Sequence, residues 1–505
     1  MNTGSETGTG NTSGHQKYIP CIGMGKTGGR DMSENTIKKT RNMNPDAALP
    51  LYEKLGYLSG STAVGIFQAL FATFMMVYYT NVAHVNPATA GTVIAVSRIF
   101  DGISDLVMGR IVDKTKSKNG KARPWILRMI IPAAISVILA FWQPAGLAGT
   151  AQIVYIFLTY NLAVTICNTA IFVPEQSLIS YMTLDAKSRS HLGGMHMLGV
   201  NVIVALVVTS NFMKISKAFG AGDPYTQKGF TSTIIVCMLL YAVLSLICYF
   251  VTRERVSDLE TEKQEVKSGE IPAGKVLSSL FHNKYWLLTT GITILVYILL
   301  AATAGTTVYY AEHVAGDLNL QGSITQIYTL TMLVALIVTL ILLIGRLGKR
   351  NTVLVGMVFS VIGFFLPVLS HTPAILHLGA GLRGIGIGIA SVPVGSILQD
   401  SLTYSLWKDG FLAVGMGNAA SSFANKLGTA LGTAILGWVL AGGGFDGAKA
   451  VQNASALTAI TFMYAWLPTL LCAGILVLAI FYDLDGAKYT KIEQDITAGK
   501  IGNNR

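Results

Sequence analysis

Two carboxylates lie four residues apart in the run Ser97-Arg98-Ile99-Phe100-Asp101-Gly102-Ile103-Ser104-Asp105. At 3.6 residues per turn, Asp101 and Asp105 share one helix face with Arg98 and Ser104. A charge costs several kcal/mol in hydrocarbon, so if this run crosses a membrane the face must look into the protein or a wet cavity. Carboxylates on adjacent turns repel at low dielectric, and either a proton on one of them or a cation between them relieves the conflict. Hard cations such as Na⁺ prefer oxygen ligands. The spacing therefore predicts a site for a monovalent cation or a proton. A structural reading stands beside it, in which Asp101 or Asp105 pairs with Arg98 and Lys426 to pin helices together.

The element carrying that face belongs to a chain of 505 residues with 51% hydrophobic and 12% charged side chains, where a soluble protein carries roughly 25% charged. With 53 Gly and a mean hydropathy of +0.53, the composition is that of a polytopic membrane protein. Apolar stretches near the ~20 residues that cross a bilayer fall at about 57–79, 88–112, 125–143, 152–173, 192–213, 230–251, 285–310, 324–345, 352–370, 374–398, 411–440 and 455–482. The expected fold is an all-α membrane protein, twelve transmembrane helices in two six-helix bundles, because only helices satisfy their own backbones in lipid. The expected bounds are a disordered cytoplasmic tail at 1–54, bundles at 55–251 and 285–483, a cytoplasmic linker at 252–284, and a cytoplasmic C-terminal tail at 484–505. The first tail holds no apolar stretch long enough for the core of a signal peptide.

Thirty of the 37 Lys and Arg fall in the tails and the even-numbered connections, and four in the odd-numbered ones: Lys214, Lys217, Lys228 and Lys449. That bias puts both termini in the cytoplasm of a multi-pass protein of the cell membrane. Three bases, Arg98, Arg383 and Lys426, remain inside spans. The net charge of +11 thus encodes topology and implies no nucleic-acid partner. Of the five cysteines, Cys167, Cys237, Cys248 and Cys472 lie in apolar runs and read as buried small hydrophobes. The sequence lacks H-E-x-x-H, G-x-S-x-G and any metal-spaced His/Cys cluster, so neither an enzyme nor a cofactor is expected. Two bundles with cytoplasmic termini match the layout of secondary transporters that rock around a central site.

The run from Arg98 to Trp125, R-I-F-D-G-I-S-D-L-V-M-G-R-I-V-D-K-T-K-S-K-N-G-K-A-R-P-W, resembles the signature of the glycoside-pentoside-hexuronide:cation symporters. That family, to which melibiose permease belongs, is a branch of the major facilitator superfamily. The resemblance covers roughly residues 50–485. It includes K-L-G-Y at Lys54–Tyr57, Y-Y-T-N at Tyr78–Asn81, S-L-I-S-Y-M-T-L-D at Ser177–Asp185, D-S-L-T-Y-S-L-W-K at Asp400–Lys408 and N-K-L-G-T-A-L-G at Asn425–Gly432. It implies symport of a sugar, glycoside or hexuronide with Na⁺, Li⁺ or H⁺ by alternating access, in a monomer embedded in the bilayer. By the same resemblance Asp101 and Asp105 match the cation-site aspartates, and Thr169 and Lys426 match residues at or beside that site. The chain departs from the pattern at Leu106, where the family has proline. Sugar-gripping positions of the family are occupied by Gly65, Phe172, Gln176, Met197 and Ser391, so the substrate is expected to differ from a galactoside. A non-sugar cargo such as a lysolipid, or a sugar sensor without transport, are the alternatives for this fold.

Further candidates lie in other spans. Glu175 is expected either to replace the missing acid at position 172, as a sugar-hydroxyl acceptor or third cation ligand, or to snorkel toward Lys187 or Arg189. Asn168 and Gln176 of the same span are candidate substrate contacts. Arg383 can grip an anionic sugar bidentately or snorkel at the outer interface. Lys426 needs a carboxylate partner, and Asp101 and Asp105 of the other bundle are nearest. Phe67, Tyr78 and Tyr79 can stack on a sugar face or serve as core. Gly109, Asp113 and Lys114 match the superfamily's gating motif, expected to lock the cytoplasmic helix ends in the outward-facing state.

Overall fold

Backbone amides in hydrocarbon have no water to bond, which leaves helix as the economical solution for so apolar a chain. In a computed structural model all the regular structure among the described residues is helical. Those residues are 48–256 without 116 and 118, then 278–410, 414–449 and 451–498. Most of the expected N-terminal tail (1–47), much of the linker (257–277) and residues 499–505 lie outside them.

The helices run α1 Leu51–Val82, α2 Pro87–Lys114, α3 Arg123–Ala140, α4 Gly149–Met182, α5 Lys187–Phe219, α6 Gln227–Val251 and α7 Lys284–Val314. The stretch Asn319–Leu369 breaks at Gly348 (φ +75°), giving α8 before it and α9 after it. Then follow α10 Pro373–Asp409, α11 Val414–Gly442, α12 Ala454–Phe481 and a terminal α13 Ala487–Thr497. Nine stretches among the described residues are long and apolar enough to cross a membrane. α2 and α11 are not among those nine, and they fall where spans two and eleven were expected. α1 begins at Leu51, inside the segment expected as tail, and Leu49 is buried with its N–H on Ser188 Oγ at 3.1 Å. The expected C-terminal tail carries α13, anchored by Lys488 Nζ on Tyr285 Oη at 2.6 Å. The four cysteines of the spans are buried and free.

Both halves of the chain carry the same helix-capping device, which the sequence reading did not anticipate. Gly120 has φ +102°, and the α3 N-terminus after it donates the N–H groups of Lys121, Ala122 and Arg123 to the Glu254 carboxylate at 2.7, 3.0 and 2.9 Å. A helix N-terminus favours such an anion. Burial nonetheless pushes the Glu254 carboxyl above its ordinary range, while those three N–H groups pull the other way. In the second half Gly348 takes the place of Gly120, and Asp485 accepts from the Arg350 N–H at 2.9 Å. Arg123 and Arg350 each donate Nη2 to a carbonyl five residues before the capping acid, Tyr249 O and Ile480 O, at 2.6 Å. A Cβ on either glycine would collide with the capping carboxylate. Such duplication is the mark of internal repeats in transporters.

Glu53, in the first turn of α1, is fully buried and held bidentately by Arg255 at 2.6 and 2.7 Å. Removing one partner strands the other charge. Glu53→Ala is therefore expected to cost about 3–5 kcal/mol, read as a lower thermal unfolding midpoint in detergent, and Glu53→Ala with Arg255→Ala is expected to cost less than the two single changes summed.

The two halves are held together at one end and, among the described residues, as far along α2 as Asp105, which pairs with Lys426 of α11. At the end where α1 and α7 finish, Thr80 Oγ1 lies 2.7 Å from Tyr309 Oη, Gln321 Nε2 donates to Thr209 O at 3.2 Å, Gln326 Nε2 to Ser210 Oγ at 3.3 Å, and the Tyr225 hydroxyl to Glu312. α2 and α11 approach there at Gly91 and Gly437. The largest apolar cluster, from Phe67, Tyr78 and Tyr79 to Tyr309 and Tyr464, draws on both halves, whereas the clusters around Tyr57 and Met182 and around Tyr285 and Tyr482 each stay within one half. Phe67, Tyr78 and Tyr79 are at most 1% exposed and pack on Phe71, Phe141 and Phe230. They are core, which corrects the sugar-stacking expectation: side chains this deeply buried leave no ring face open to a sugar.

Candidate functional site

The run that opened the sequence reading lies on α2, in helix throughout. Asp101 is buried, and its Oδ2 accepts from Arg98 Nη1 at 3.1 Å. Its Oδ1 has no hydrogen-bond partner among the described residues. One turn on, Asp105 accepts from Thr169 Oγ1 of α4 at 3.0 Å and is paired with Lys426 of α11. The Lys426 ammonium also donates to Asp101 O at 2.8 Å. Ser104 Oγ lies 3.1 Å from Thr169 Oγ1 and donates to Asp101 O at 3.0 Å.

Local structure explains the convergence. The α4 segment Asn161–Asn168 is π-helical and ends at Thr169. Such a bulge re-aims the residues beyond it, and π-turns recur at functional sites. α11 reaches α2 because small residues line their contact. The outcome is two carboxylates and two hydroxyls, all oxygen donors, beside one ammonium from the opposite half. Among the described residues no group of three or more His, Cys, Asp or Glu is placed to hold a metal ion. A monovalent cation needs no such group, since carboxylate and hydroxyl oxygens suffice.

Both sequence readings of this cluster have a geometric counterpart. Arg98 and Lys426 pair with Asp101 and Asp105, as the structural reading has it, while an unpartnered carboxylate oxygen and the Ser104 and Thr169 hydroxyls supply the donors that the cation reading needs.

Glu175 follows neither the snorkelling nor the cation-ligand expectation. Its side chain is 1% exposed, and Oε1 accepts from Ser61 Oγ of α1 at 2.5 Å and from His196 Nδ1 of α5 at 3.2 Å. It does not snorkel, because Ser61 and His196 hold it between α1, α4 and α5. Arg189 turns to Thr183 O instead, at 2.8 Å, and Lys187 is exposed. Nor does Glu175 join the Asp101–Asp105 cluster in any hydrogen bond. Its Oε2 has no partner among the described residues. Gln176 is half-buried with Nε2 2.7 Å from His196 Nε2, and Asn168 is half-buried. His196 was missed. It is an ionisable side chain in an apolar span, a signal in its own right, which a count restricted to Lys, Arg, Asp and Glu passes over.

Arg383 is buried rather than at an interface, donating Nη2 to Tyr464 Oη at 2.9 Å and lying 4.9 and 5.1 Å from the ring centroids of Tyr464 and Phe364. The snorkelling expectation is thereby corrected: those aromatic faces replace water around the guanidinium. Of the gating motif, Gly109 and Lys114 lie at the α2 end, with Lys114 exposed in its last turn, and the side chain of Asp113 lies outside the described residues. Glu312 and Tyr225, which bridge the halves at the closed end, escaped the sequence reading because the expected span seven stopped at residue 310.

Comparison with known proteins agrees with this architecture. A family model described as MFS/sugar transport protein matches residues 56–486. The isoprimeverose transporter of Lactiplantibacillus pentosus is 27% identical over 441 residues, which cover 86% of this chain and 89% of that protein. The glucuronide carrier protein homolog of Escherichia coli K12 is 27% identical over 446 residues, covering 88% and 94%. Among solved structures, the inward-open xylose transporter XylE from E. coli superposes with a TM-score of 0.60 at 12% identity, covering 87% of this chain and 98% of its own. The nucleoside transporter NupG gives 0.58 at 15% identity, covering 84% and 98%.

Proposed function

This chain belongs to the MFS/sugar transport protein family, and from that premise we propose that it is a cation-coupled symporter of a sugar, glycoside or hexuronide that works by alternating access. It is a membrane transporter and not an enzyme. The relatives named for isoprimeverose and glucuronide carriage support the substrate class, and the fold shared with XylE fits alternating access. The observation that carries the mechanism is the ion pair between Asp105 of α2 and Lys426 of α11, drawn from opposite halves.

Na⁺, Li⁺ or H⁺ is the coupling ion in this reading, bound by Asp101 and Asp105 with Ser104 and Thr169. An arriving cation competes with the Lys426 ammonium for Asp105. Its binding weakens a tie between the halves, and the α2–α11 contact responds because the ion has differential affinity for the two states. By linkage, sugar raises cation affinity by the factor that cation raises sugar affinity. The charge bias of the connections supports a cell-membrane location with both termini cytoplasmic. The closed end then faces outward and the parted end inward, so this conformation is inward-facing. The protein acts as a monomer, each half contributing one wall of the path.

The test is uptake into proteoliposomes of labelled isoprimeverose and of methyl glucuronide under imposed Na⁺, Li⁺ or H⁺ gradients. Accumulation against the sugar gradient is expected with at least one cation and is expected to vanish when an ionophore collapses that gradient. Equilibration without accumulation in all three would sink coupled symport. Thermal stabilisation by a lysolipid alone would turn the assignment toward a lipid cargo.

A further inference from the structure

We propose that His196 decides which hydrogen-bonding edge Gln176 turns toward the substrate path, so that protonation of His196 shifts preference from neutral to anionic glycosides. The proposal rests on the transport reading above for its substrate, and on the buried Glu175–His196–Gln176 chain for its chemistry.

A carboxylate 1% exposed must be met by donors. Glu175 Oε1 receives the Ser61 hydroxyl and His196 Nδ1, so the neutral imidazole carries its proton on Nδ1 and leaves Nε2 bare. The Gln176 amide nitrogen, 2.7 Å away, then donates to that bare nitrogen. With its –NH₂ committed inward, Gln176 presents its carbonyl on the open side. A second proton, on Nε2, reverses this. Nε2 becomes a donor, the amide rotates to accept with its oxygen, and –NH₂ takes the open side. No other heavy atom has to move.

Helix geometry says where the open side looks. Thr169 and Gln176 are seven residues apart in the α-helical part of α4, with Pro174 between them, which puts them near one face and about 10 Å apart along the axis. Thr169 on that face bonds Asp105. Gln176, half-buried, therefore lies on the α4 face that carries the Thr169 hydroxyl of the cation cluster, about two turns further along the helix. A sugar hydroxyl both donates and accepts, whereas a uronate carboxylate only accepts. A carbonyl edge suits the hydroxyl and opposes the carboxylate. An amino edge backed by an imidazolium favours the carboxylate.

Few other charges intrude. Among the described residues Tyr57 on α1 and Cys248 on α6 interact electrostatically with Glu175, and Arg123 with Cys248. Lys54 Nζ is engaged 3.0 Å from His191 Nδ1, more than one turn further along α5. Among the described residues α8 bonds α5 at the closed end, through Gln321 and Gln326 to Thr209 and Ser210. Tyr57 Oη and Glu175 Oε2 both lack hydrogen-bond partners among the described residues, which leaves acceptor capacity beside the imidazole.

Infrared difference spectra of the reconstituted full chain between pH 8 and pH 5, the range over which histidines change charge, read the switch without any sugar. The Gln176 amide band, identified by its loss in Gln176→Met, is expected to shift in the wild type and to stay fixed in His196→Gln. A wild-type band that does not move, or one that still moves in His196→Gln, overturns the proposal. Glu175→Gln, which removes the charge that fixes the tautomer, serves if His196→Gln does not fold, and there too the band is expected to lose its shift. In transport, the KM for phenyl glucuronide divided by that for isoprimeverose is expected to fall about tenfold from pH 8 to pH 5. The ratio is expected to stay flat in His196→Gln, and an unchanged fall in that variant also overturns the proposal. Taking the ratio cancels pH effects on the shared cation site. Should the wild type carry neither sugar, the transport reading fails while the infrared result still decides the switch.

Discussion

Asp105→Asn abolishes cation-driven accumulation, lowering the steady-state inside-to-outside sugar ratio to about 1 from a wild-type value about 100-fold higher. The substitution keeps the shape of the side chain and an oxygen for the Thr169 hydroxyl at 3.0 Å. What it removes is one of two charges. A hydrogen bond to a charged group contributes about 1.5–3 kcal/mol, so losing the Asp105 charge lowers cation affinity by about 10- to 100-fold, and the site then stays empty of its ion at working concentrations, which uncouples sugar movement from the cation gradient. Lys426 loses its partner at the same time, and its remaining bond, to Asp101 O at 2.8 Å, is to a neutral carbonyl. Counterflow, in which labelled sugar exchanges for unlabelled sugar with no net cation movement, is expected to persist. Accumulation at the wild-type level would remove Asp105 from the coupling site, and loss of counterflow as well would signal a damaged fold rather than uncoupling.

Gly437→Val is expected to lower net uptake at least about 30-fold by keeping the end where α2 and α11 meet from closing. A Cβ at this position meets Pro87 O, lies 2.9 Å from Gly91 Cα and 3.1 Å from Met76 Cε. Two of those three atoms are backbone, so the clash cannot be relieved by a rotamer change, and overpacking of a well-packed contact typically costs 1–3 kcal/mol. That cost falls only on the state in which α2 and α11 touch. The population therefore shifts toward the state in which this end is open by about 5- to 150-fold. Cysteine labelling reports the shift: Thr209→Cys, facing Gln321 across the halves at the closed end, is expected to react with an impermeant maleimide faster when Gly437→Val is present. Unchanged labelling together with lost uptake would mean that the substitution acts elsewhere.

The sequence exposed the membrane architecture and the Asp101–Asp105 face because both rest on periodicity and on the cost of charge in lipid, which are local properties. Lys426 was also legible, since a lysine in an apolar span must find an acid. Glu175 was legible only as an oddity. Its neighbours Ser61 and His196 are 114 residues before it and 21 after it in the chain, and no local pattern announces them. The snorkelling reading of Arg383 failed for a related reason: an arginine among glycines reads as exposed to an interface until the rings of Phe364 and Tyr464, from two other helices, are placed against it. The caps formed by Glu254 and Asp485 were invisible because each joins a carboxylate to backbone N–H groups, and backbone groups leave no compositional trace.

Those caps bear on how the protein is made. Each half ties the start of its third helix to residues just beyond its sixth, through Glu254 in one case and Asp485 in the other. Glu53 and Arg255 add a second tie, from the first turn of α1 to the same segment after α6. During synthesis the first half therefore has every partner it needs as soon as residue 255 has left the ribosome, before α7 has been translated. It can latch shut as a unit in the membrane, and the second half does the same once Asp485 emerges. The bonds between the halves, from Thr80–Tyr309 to Asp105–Lys426, are left for last, and these are the ones that a working cycle must break and remake.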